Sequence, residues 1–388
     1  MFTLIKNAEI FAPEPLGTAS VLFCGGTIAW LGKDFPAEKT LPGLKVVEAR
    51  GMVLMPGIVD GHVHITGGGG EGGGATRTPE LLLSDMVRGG VTTVVGLSGT
   101  DDVTRSTAAL IAKANGLIAE GMSAWAMSGS YQLPIKPVCS TIREDICLID
   151  RIIGVGEIAI SDHRSSQPTF EEFIQVAAAA RVGGMLGGKS GVVNIHLGDG
   201  KSGLDYLFRA AETEIPLSQF MPTHLNRNPD LFEQARKYAA MGGYVDFTSS
   251  TIPLFLEEGE VKCSRAVKIM LDDGVPAARI SISSDGQGSM PMFNENGDFT
   301  GLTIGRVTAN HGEFVDMVGE GIEMEDAVTV VSAATADHYK LPRKGHIKEG
   351  YDADALLLDS SLAIKYVFAK GQMMMEEGQV IVKGTFEN

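Results

Sequence analysis

Two histidines follow an apolar run in the segment "GIVDGHVHITGGGGEGG", which extends from Gly57 to Gly73. Imidazole nitrogens are common ligands of borderline divalent metals such as Zn²⁺. If the apolar run is a strand, its two-residue period places His62 and His64 on the same face. Such a pair is compatible with metal binding and equally with two packed side chains. A metal site is favoured only if further ligands occur elsewhere in the chain.

Further imidazoles and carboxylates stand at the ends of other apolar runs. These candidate ligands are Glu157, His196, His224 and Asp285. Each one alone is more often a structural residue, but six such groups at one edge are costly to bury without a cation. Six ligands exceed what a single catalytic zinc uses and suit two metals that share a carboxylate and a water. Such a pair would generate hydroxide near neutral pH and polarise a carbonyl. We expect two Zn²⁺ per chain, with Mn²⁺, Co²⁺ or Fe²⁺ as alternatives.

Eight short apolar runs provide the frame that would bring these ligands together. They are residues 58–65, 91–97, 123–129, 156–161, 191–197, 220–225, 244–249 and 280–285. Longer segments with helical patterns separate them, as in "TPELLLSDMVRGG", where Thr78 is a candidate cap and Pro79 a candidate first helical residue. Eight strand–helix units predict an α/β fold, a (β/α)₈ TIM-type barrel, with a doubly wound open sheet as the rival. Catalytic residues of such barrels lie at the carboxyl ends of the strands, where the candidate ligands fall.

The two ends of the chain have a different pattern from the middle. Short β-type runs such as "FTLIKNAEIFA" and "GQVIVKG" occupy both ends, and they lack the alternation of strand and helix. We therefore predict a small β-sandwich domain built from residues 1–55 and 345–388. The barrel would be inserted between these parts as residues 56–344.

Composition limits the classes of partner. The chain has 388 residues and a net charge of −16, which argues against nucleic acid and anionic membranes as partners. The four cysteines are scattered without a CxxC pair, which favours reduced thiols in a cytoplasmic protein. Neither a signal peptide nor a run of about 20 apolar residues is recognisable.

The complete pattern resembles the amidohydrolase superfamily: HxH after the first strand, a carboxylate on the fourth, histidines on the fifth and sixth, and aspartate on the eighth. Within it the chain is similar to the isoaspartyl dipeptidases over nearly its whole length. The segments that carry this narrower resemblance are "HITGGGGEGG", "TRTPE", "VVGLSGTD", "ISDHRSS", "RVGGMLGGK", "PTHLNRN", "SSDGQGS" and "VKGTFE".

The resemblance implies a division of the metal ligands. His62 and His64 with Asp285 would hold the first metal, and His196 with His224 the second. Asp285 would also take the proton of the bridging water and pass it to the leaving amine, first as general base and then as general acid.

The same resemblance assigns the glycine-rich segment to substrate binding. Gly69 would offer a backbone contact and Glu71 an anion for the free α-amino group of the isoaspartyl residue, with Thr100 beside them. Glycines allow the backbone to approach a ligand where a Cβ would clash. The alternative is a flexible surface linker.

Four further residues are implied to contact the substrate. Tyr131 would donate to the carbonyl oxygen as charge develops on it, while Arg164, Arg227 and Ser289 would hold carboxylates, which a guanidinium matches with two bonds. The alternatives are a tyrosine that only covers the barrel mouth and arginines in surface ion pairs.

At one position the chain departs from the family pattern. The family has a carboxylated lysine on the fourth strand, whereas no lysine occurs between Lys136 and Lys189, and Glu157 stands in the equivalent place. Glutamate is also a bidentate anion but is shorter, and an extra residue in "GVGE" could form a bulge that compensates. We expect Glu157 to bridge two metals; the alternative is one metal with Glu157 as an acid or base.

The resemblance predicts hydrolysis of β-aspartyl dipeptides by a metal-bridged hydroxide, with a small dipeptide as the partner and a homo-oligomeric state. The alternatives are another amidohydrolase, such as a dihydroorotase-like cyclic amidase or an N-acyl amino acid deacylase, and an inactive barrel kept as a scaffold.

Overall fold

The computed structural model describes residues 2–36, 38, 40–294 and 299–387. The predicted domains also include a few positions that lie outside the described residues. In chain order the strands are β1 (Phe2–Phe11), β2 (Pro15–Cys24), β3 (Thr27–Gly32), β4 (Leu44–Glu48), β5 (Val53–Pro56), β6 (Ile58–Val63), β7 (Val91–Gly96), β8 (Ser123–Ser128), β9 (Ile152–Ile160), β10 (Val192–Leu197), β11 (Phe220–Thr223), β12 (Val245–Thr248), β13 (Ile280–Ser283), β14 (Ser289–Phe293), β15 (Phe299–Ile304), β16 (Ala355–Leu358), β17 (Ile364–Ala369), β18 (Gln372–Glu376) and β19 (Gln379–Val380).

Helices separate most of the central strands. The α-helices are α1 (Leu83–Arg88), α2 (Thr107–Ala119), α3 (Ile142–Leu148), α4 (Phe170–Gly187), α5 (Asp205–Ala210), α6 (Pro229–Ala240), α7 (Pro253–Glu257), α8 (Cys263–Asp272), α9 (Ala309–Gly319), α10 (Met324–Val328) and α11 (Ala334–His338). Three 3₁₀ turns (Gly74–Thr76, Leu217–Gln219, Ala277–Arg279) and a π-turn (Thr329–Ala333) complete them. Reciprocal capping begins α4, where Thr169 and Glu172 satisfy each other's backbone N–H groups. No helix among the described residues has the length and apolar character needed to cross a membrane.

The two chain ends meet in one nine-stranded sheet, in the order β19-β18-β17-β16-β5-β1-β2-β3, with β4 paired to β1. The antiparallel pairing of β16 with β5 sets Leu357 opposite Leu54 and joins the carboxyl-terminal strands to the amino-terminal ones. Both leucines belong to an apolar cluster with Phe23 and Phe368 on one face of this sheet. The predicted association of the chain ends therefore has a direct structural basis in this pairing.

The eight central runs predicted as strands are all strands. β6 to β11 form a six-stranded parallel sheet in sequence order, and β12 pairs in parallel with β13. The Leu225 N–H donates to the Asp246 carbonyl, and the His64 N–H donates to the Gly286 carbonyl, so the two sheets contact each other at both ends. All residues of β7 are buried, and its adjacent Val94 and Val95 enter different apolar clusters, as expected for strands covered on both faces.

The expected start of the first helix is wrong. Helix α1 begins at Leu83, four residues after Pro79. The Thr78 hydroxyl instead accepts from the Gly68 N–H at 2.7 Å and donates to the Gln287 carbonyl at 2.6 Å. Thr78 thus fixes the glycine-rich loop, a tertiary role that cap-like sequence patterns do not reveal.

The extra residue predicted in "GVGE" is confirmed by the register of β9 against β10. Val155 pairs with Val193 and Ile158 with Ile195, so Gly156 and Glu157 together face the single residue Asn194. Gly156 has φ +151°, and a Cβ there would lie 2.8 Å from the Asn194 Cβ. Only glycine fits this arrangement. The bulge lies directly beside Glu157, the residue that the sequence places at the centre of the metal site.

Candidate functional site

The six candidate metal ligands lie at the carboxyl ends of the central strands. His62 is on β6, Glu157 on β9 and His196 on β10, and the other three follow directly after β6, β11 and β13. All six are brought together by the parallel order of the strands, which places their carboxyl ends at one edge. Five are buried, and the Asp285 side chain is 22% exposed.

Glu157 is the centre of this cluster. Its Oε2 atom lies 3.1 Å from His62 Nε2, 3.2 Å from His196 Nδ1 and 3.7 Å from His224 Nε2. Its Oε1 atom lies 3.5 Å from His64 Nε2. One carboxylate therefore contacts all four imidazoles, three through Oε2 and one through Oε1.

Two overlapping sets of ligand atoms are compact enough to hold cations. One set is His62, His64 and Asp285, and the other is His62, Glu157 and His224; within each, the ligand atoms lie within 4.8 Å of one another. His64 Nε2 and Asp285 Oδ1 are 3.0 Å apart. A cluster with two such sets, joined through a shared residue, has the composition of a two-metal centre.

Several polar atoms of the cluster form no well-oriented hydrogen bond with the described residues, although His62 Nε2 and Asp285 Oδ1 each lie within 3.1 Å of another ligand atom. They are both ring nitrogens of His62, Nδ1 of His64, Oε1 of Glu157 and Oδ1 of Asp285. Buried polar atoms in folded proteins nearly always have partners, so a group of orphaned nitrogen and oxygen ligands at one point indicates a place for cations. The residues present therefore fit divalent metals with imidazole and carboxylate ligands.

The electrostatics of the cluster agree with this fit. Burial opposes ionisation of Glu157, but the charge of His62 and hydrogen bonds from His196 and His224 hold its pKa well below the usual range. Burial also opposes protonation of His62, yet the charge of Glu157 raises the pKa of His62 to about 9. The pKa of His224 falls to about 3 because of burial and the nearby Arg227. An ionised carboxylate in a buried site requires positive charge beside it.

Two imidazoles are oriented by partners outside the cluster. His224 Nδ1 forms a 2.6 Å hydrogen bond with the Thr248 hydroxyl. His196 Nε2 lies 2.9 Å from Asp162 Oδ2, and the same carboxylate accepts from Arg164 Nε and Nη2 at 3.0 and 2.7 Å. A carboxylate behind a ligating imidazole fixes its tautomer and its ring orientation. Sequence reasoning missed Asp162, although it stands inside the quoted segment "ISDHRSS".

We expect Asp162→Asn to weaken metal binding by roughly 10- to 100-fold. Asparagine has no negative charge, and its single oxygen replaces only one of the two carboxylate oxygens, so its NH₂ group faces N–H donors at the other. The measurement is competition with a chromophoric chelator for the metal, with circular dichroism to verify the fold. Asp150→Asn, at an exposed aspartate before β9, is the matched control. An unchanged affinity in Asp162→Asn would show that His196 needs no carboxylate behind it.

The backbone at the ends of β11 and β13 is unusual. His224 has φ 64° and Asp285 φ 50°, in the left-handed region that residues other than glycine rarely adopt. Such conformations concentrate at functional sites, where the surrounding structure holds them. Both residues are candidate metal ligands, and the sharp turn directs each side chain to the cluster.

The glycine-rich loop carries Glu71 to the rim of the cluster. The Thr100 hydroxyl donates to Glu71 Oε1 at 2.9 Å, and Arg164 Nη1 lies 3.4 Å from the same atom. Arg105 holds the base of the loop by donating to the carbonyls of Thr66, Gly68 and Thr78. A Cβ at Gly67 would lie 2.3 Å from the Thr78 carbonyl oxygen. The loop is therefore anchored against the protein, which disfavours the interpretation as a flexible linker.

Tyr131 and Arg227 border the other side of the cluster. The Tyr131 hydroxyl lies 2.8 Å from His196 Nδ1, and burial together with the charge of Glu157 raises the pKa of Tyr131 well above its usual value. The phenol therefore stays protonated and can donate. Arg227 Nη1 donates to the Leu197 carbonyl at 3.1 Å, and Arg227 lines the cavity beside the cluster.

One cavity collects every residue that the sequence assigns to substrate binding or catalysis. Its lining includes His64, Gly69, Glu71, Thr100, Tyr131, Arg164, His196, Arg227, Asp285 and Ser289. It also includes Arg105 and Asp101, which sequence reasoning did not find. Acidic side chains, three guanidinium groups and several metal-type ligands therefore share one small space. Such a space can bind a zwitterionic molecule against a metal centre.

The remaining four histidines, for which the sequence predicts no role, lie outside this cavity. His163 lines a separate surface cavity, and the other three bond or stack elsewhere: His311 with the Leu362 carbonyl, His338 with the Tyr244 ring and His346 with Asp337.

Comparisons with known proteins agree with this geometry. The model of the amidohydrolase family matches residues 53–385. A crystal structure of a β-aspartyl dipeptidase from Fervidobacterium islandicum AW-1, in complex with β-Asp-Leu dipeptide, is 44% identical, covers 98% of this chain and 97% of that chain, and superposes with a TM-score of 0.90. A dihydropyrimidinase from Brevibacillus agri NCHU1002 shares the fold at 17% identity, with 99% and 97% of the chains covered and a TM-score of 0.67.

Curated sequences match over shorter stretches. A dihydroorotase from Halalkalibacterium halodurans is 38% identical over 104 residues, which are 26% of this chain and 23% of that protein. The chain thus spans about a quarter of the length of this curated relative. The family match, in contrast, covers most of the chain and includes all six candidate metal ligands. This chain belongs to the amidohydrolase family.

Proposed function

We propose that the protein hydrolyses β-aspartyl dipeptides and releases aspartate and the second amino acid. The observation that carries the proposal is the single cavity in which Glu71, with Thr100 beside it, faces a carboxylate–imidazole cluster flanked by Arg164 and Arg227. A β-aspartyl residue has a free α-amino group and a free α-carboxylate, which need these charges. The similarity to a β-aspartyl dipeptidase that binds β-Asp-Leu supports the same substrate class.

The proposal includes two divalent cations, Zn²⁺ by the ligand chemistry, with Mn²⁺, Co²⁺ or Fe²⁺ as alternatives. His62, His64 and Asp285 would hold the first, and His196 and His224 the second. Glu157, whose two oxygens face different members of the cluster, would bridge them. Such cations, when bound, lower the pKa of water to near neutrality and polarise a carbonyl group.

The protein's own residues bind, orient and move protons around the scissile amide. Glu71 accepts hydrogen bonds from the α-amino group, and Arg164, Arg227 and Ser289 bind the carboxylates. Tyr131 donates to the carbonyl oxygen as negative charge develops there. Asp285, which lines the cavity, takes a proton from the attacking water and returns it to the leaving amine. The amide C–N bond breaks as the C–O bond forms, and one water is consumed.

The architecture and state of assembly are part of the proposal. The contacts between the six-stranded and two-stranded sheets support a closed (β/α)₈ barrel of residues 56–344. The sheet shared by the chain ends supports a β-sandwich domain from residues 1–55 and 345–388. A homo-oligomer remains an expectation from the family resemblance. The four free cysteines support a reducing, cytoplasmic location.

The decisive experiment compares β-Asp-Leu, α-Asp-Leu and N-acetyl-Asp-Leu, with the metal content counted in the same sample. We expect cleavage of β-Asp-Leu alone and about two metals per chain. In Glu71→Gln, the KM for β-Asp-Leu should rise by roughly 10-fold or more, since a charge-assisted hydrogen bond is about twice as strong as a neutral one. Glu80→Gln, at an exposed glutamate, is the control. Two bound metals without cleavage would overturn the substrate class.

A cyclic amidase is the second candidate. The stretch similar to a dihydroorotase favours it, and in that case dihydroorotate or a hydantoin would be the better substrate. The negative charge of Glu71 disfavours a cyclic amidase, because an acylated nitrogen carries no positive charge for Glu71 to bind.

A further inference from the structure

A second cavity of about 430 Å³ adjoins the first and shares Arg164, Arg227, Asp285 and Ser289 with it. Glu71 and Thr100 line only the first cavity. If the β-aspartyl residue binds there, as proposed above, and its amide is cleaved beside Asp285, the leaving residue extends into the second cavity. The two cavities thus divide the dipeptide at the scissile bond.

Three apolar side chains contribute to the lining of the second cavity. Phe255 of α7 and Met290 and Pro291 of β14 line it, and all three are partly buried. Methionine adapts its shape to neighbouring groups, so together with proline and phenylalanine it can contact hydrocarbon chains of different shapes. These three side chains suit the methylene groups of a long side chain.

Three acidic side chains also line the second cavity. Asp199, Glu258 and Glu260 line it, and Glu260 is only partly exposed. Burial raises the pKa of Glu260 to about 7, so a cation that entered would stabilise its ionised form. The two arginines of this cavity are those assigned to the substrate's carboxylates, which leaves the three acids to face the end of the side chain.

We propose that this cavity selects a leaving residue with a long aliphatic side chain that ends in a cation, as in lysine or arginine. The inference rests on the proposed function and specifies the substrate within it. Lysine and arginine combine an apolar stem with a charged end, and the lining of this cavity offers both apolar and acidic side chains. A glutamate in the leaving position would be repelled by the same three acids.

The test compares kcat/KM for β-Asp-Lys, β-Asp-norleucine and β-Asp-Glu with the metal-loaded protein. Norleucine has nearly the same stem as lysine but no charge, so the lysine-to-norleucine ratio isolates the electrostatic contribution. We expect this ratio to be about 5 at low ionic strength, the upper range for a partly exposed ion pair. It should fall towards 1 in roughly 1 M NaCl, and β-Asp-Glu should be the slowest.

Two variants test whether the acidic residues of the cavity cause the lysine-to-norleucine ratio. Glu260→Gln and Glu258→Gln should each lower the lysine-to-norleucine ratio by about two- to threefold. Glu258 is exposed, so its variant keeps the test valid if Glu260→Gln fails to fold. Glu257→Gln is the matched control, because Glu257 is an exposed neighbour that does not line the cavity; its ratio should equal that of the unmodified protein.

The outcomes separate the two proposals. A ratio near 1 in the unmodified protein, or a ratio unaffected in both variants, would overturn this inference while β-Asp-norleucine cleavage kept the proposed function intact. Absence of cleavage of every β-aspartyl dipeptide by the metal-loaded protein would overturn the proposed function and this inference with it.

Discussion

Glu157→Gln should reduce the metal content from about two per chain to one or none, and hydrolysis of β-Asp-Leu should fall by at least about 1,000-fold. An amide has no negative charge, and its NH₂ group cannot bind a cation. The loss is large because Glu157 contacts all four imidazoles of the cluster, at 3.1 to 3.7 Å. Elemental analysis of dialysed protein measures the metals, and steady-state kinetics measures turnover.

A second buried glutamate provides the control for this substitution. Glu313 accepts from the Ser264 N–H at 2.7 Å and lines neither cavity, so Glu313→Gln should keep both metals and most of the activity. Removal of bicarbonate should not change the metal content of the unmodified protein, because a glutamate, unlike a carboxylated lysine, needs no CO₂. Two metals and full turnover in Glu157→Gln would end the bridging hypothesis.

The strands and the candidate ligands were predictable from the sequence for physical reasons. A strand buried on both faces must be a continuous apolar run, so eight such runs identified β6 to β13. Parallel strands then bring their carboxyl ends together, so the histidines and carboxylates at those ends could be predicted as metal ligands. The two-residue period of a strand was enough to pair His62 with His64, whereas the bridging role of Glu157 came from the family resemblance, by its distance from "ISDHRS".

The residues that support the ligands were not predictable in the same way. Asp162 lies five residues after Glu157 in a loop, and nothing in its local pattern indicates that it contacts His196. Arg105 holds three carbonyls of the glycine-rich loop, contacts that exist only once residues 66–78 are folded against it. The early start predicted for α1 failed for the same reason: Thr78 has a cap-like sequence context, but its hydroxyl is used between two loops.

The bulge in β9 was only partly predictable from the sequence. The sequence predicted one additional residue from the spacing of "GVGE", and the register confirms it. A glutamate side chain is shorter than a carboxylated lysine, so its carboxylate reaches the imidazoles only if the backbone supplies the missing length. The two residues that face Asn194 change the course of β9 at Glu157 itself. Gly156, where a Cβ would clash with Asn194, is therefore as much a part of this site as the ligand that follows it.

Asp285→Asn should remove turnover while the protein still holds metal. We expect kcat to fall by about 10²- to 10⁴-fold, the usual contribution of a general acid or base, with a smaller change in KM. Asp285 Oδ1 lies 3.0 Å from His64 Nε2, and the side chain lines both cavities, so it can reach the attacking water on one side and the leaving amine on the other. The measurements are kcat, KM and metal content of the same preparation.

The metal count decides how that loss is interpreted. The set of His62, Glu157 and His224 does not include Asp285, so at least about one metal per chain should remain in Asp285→Asn. A variant that keeps both metals and has no turnover has lost proton transfer, whereas a variant left with one metal has also lost part of the metal centre. Asp102→Asn, at an aspartate that pairs with Lys136 and lines neither cavity, should retain both metals and activity. If Asp285→Asn turned over within about tenfold of the unmodified protein, another group would have to accept the proton, and Asp285 would be a metal ligand alone.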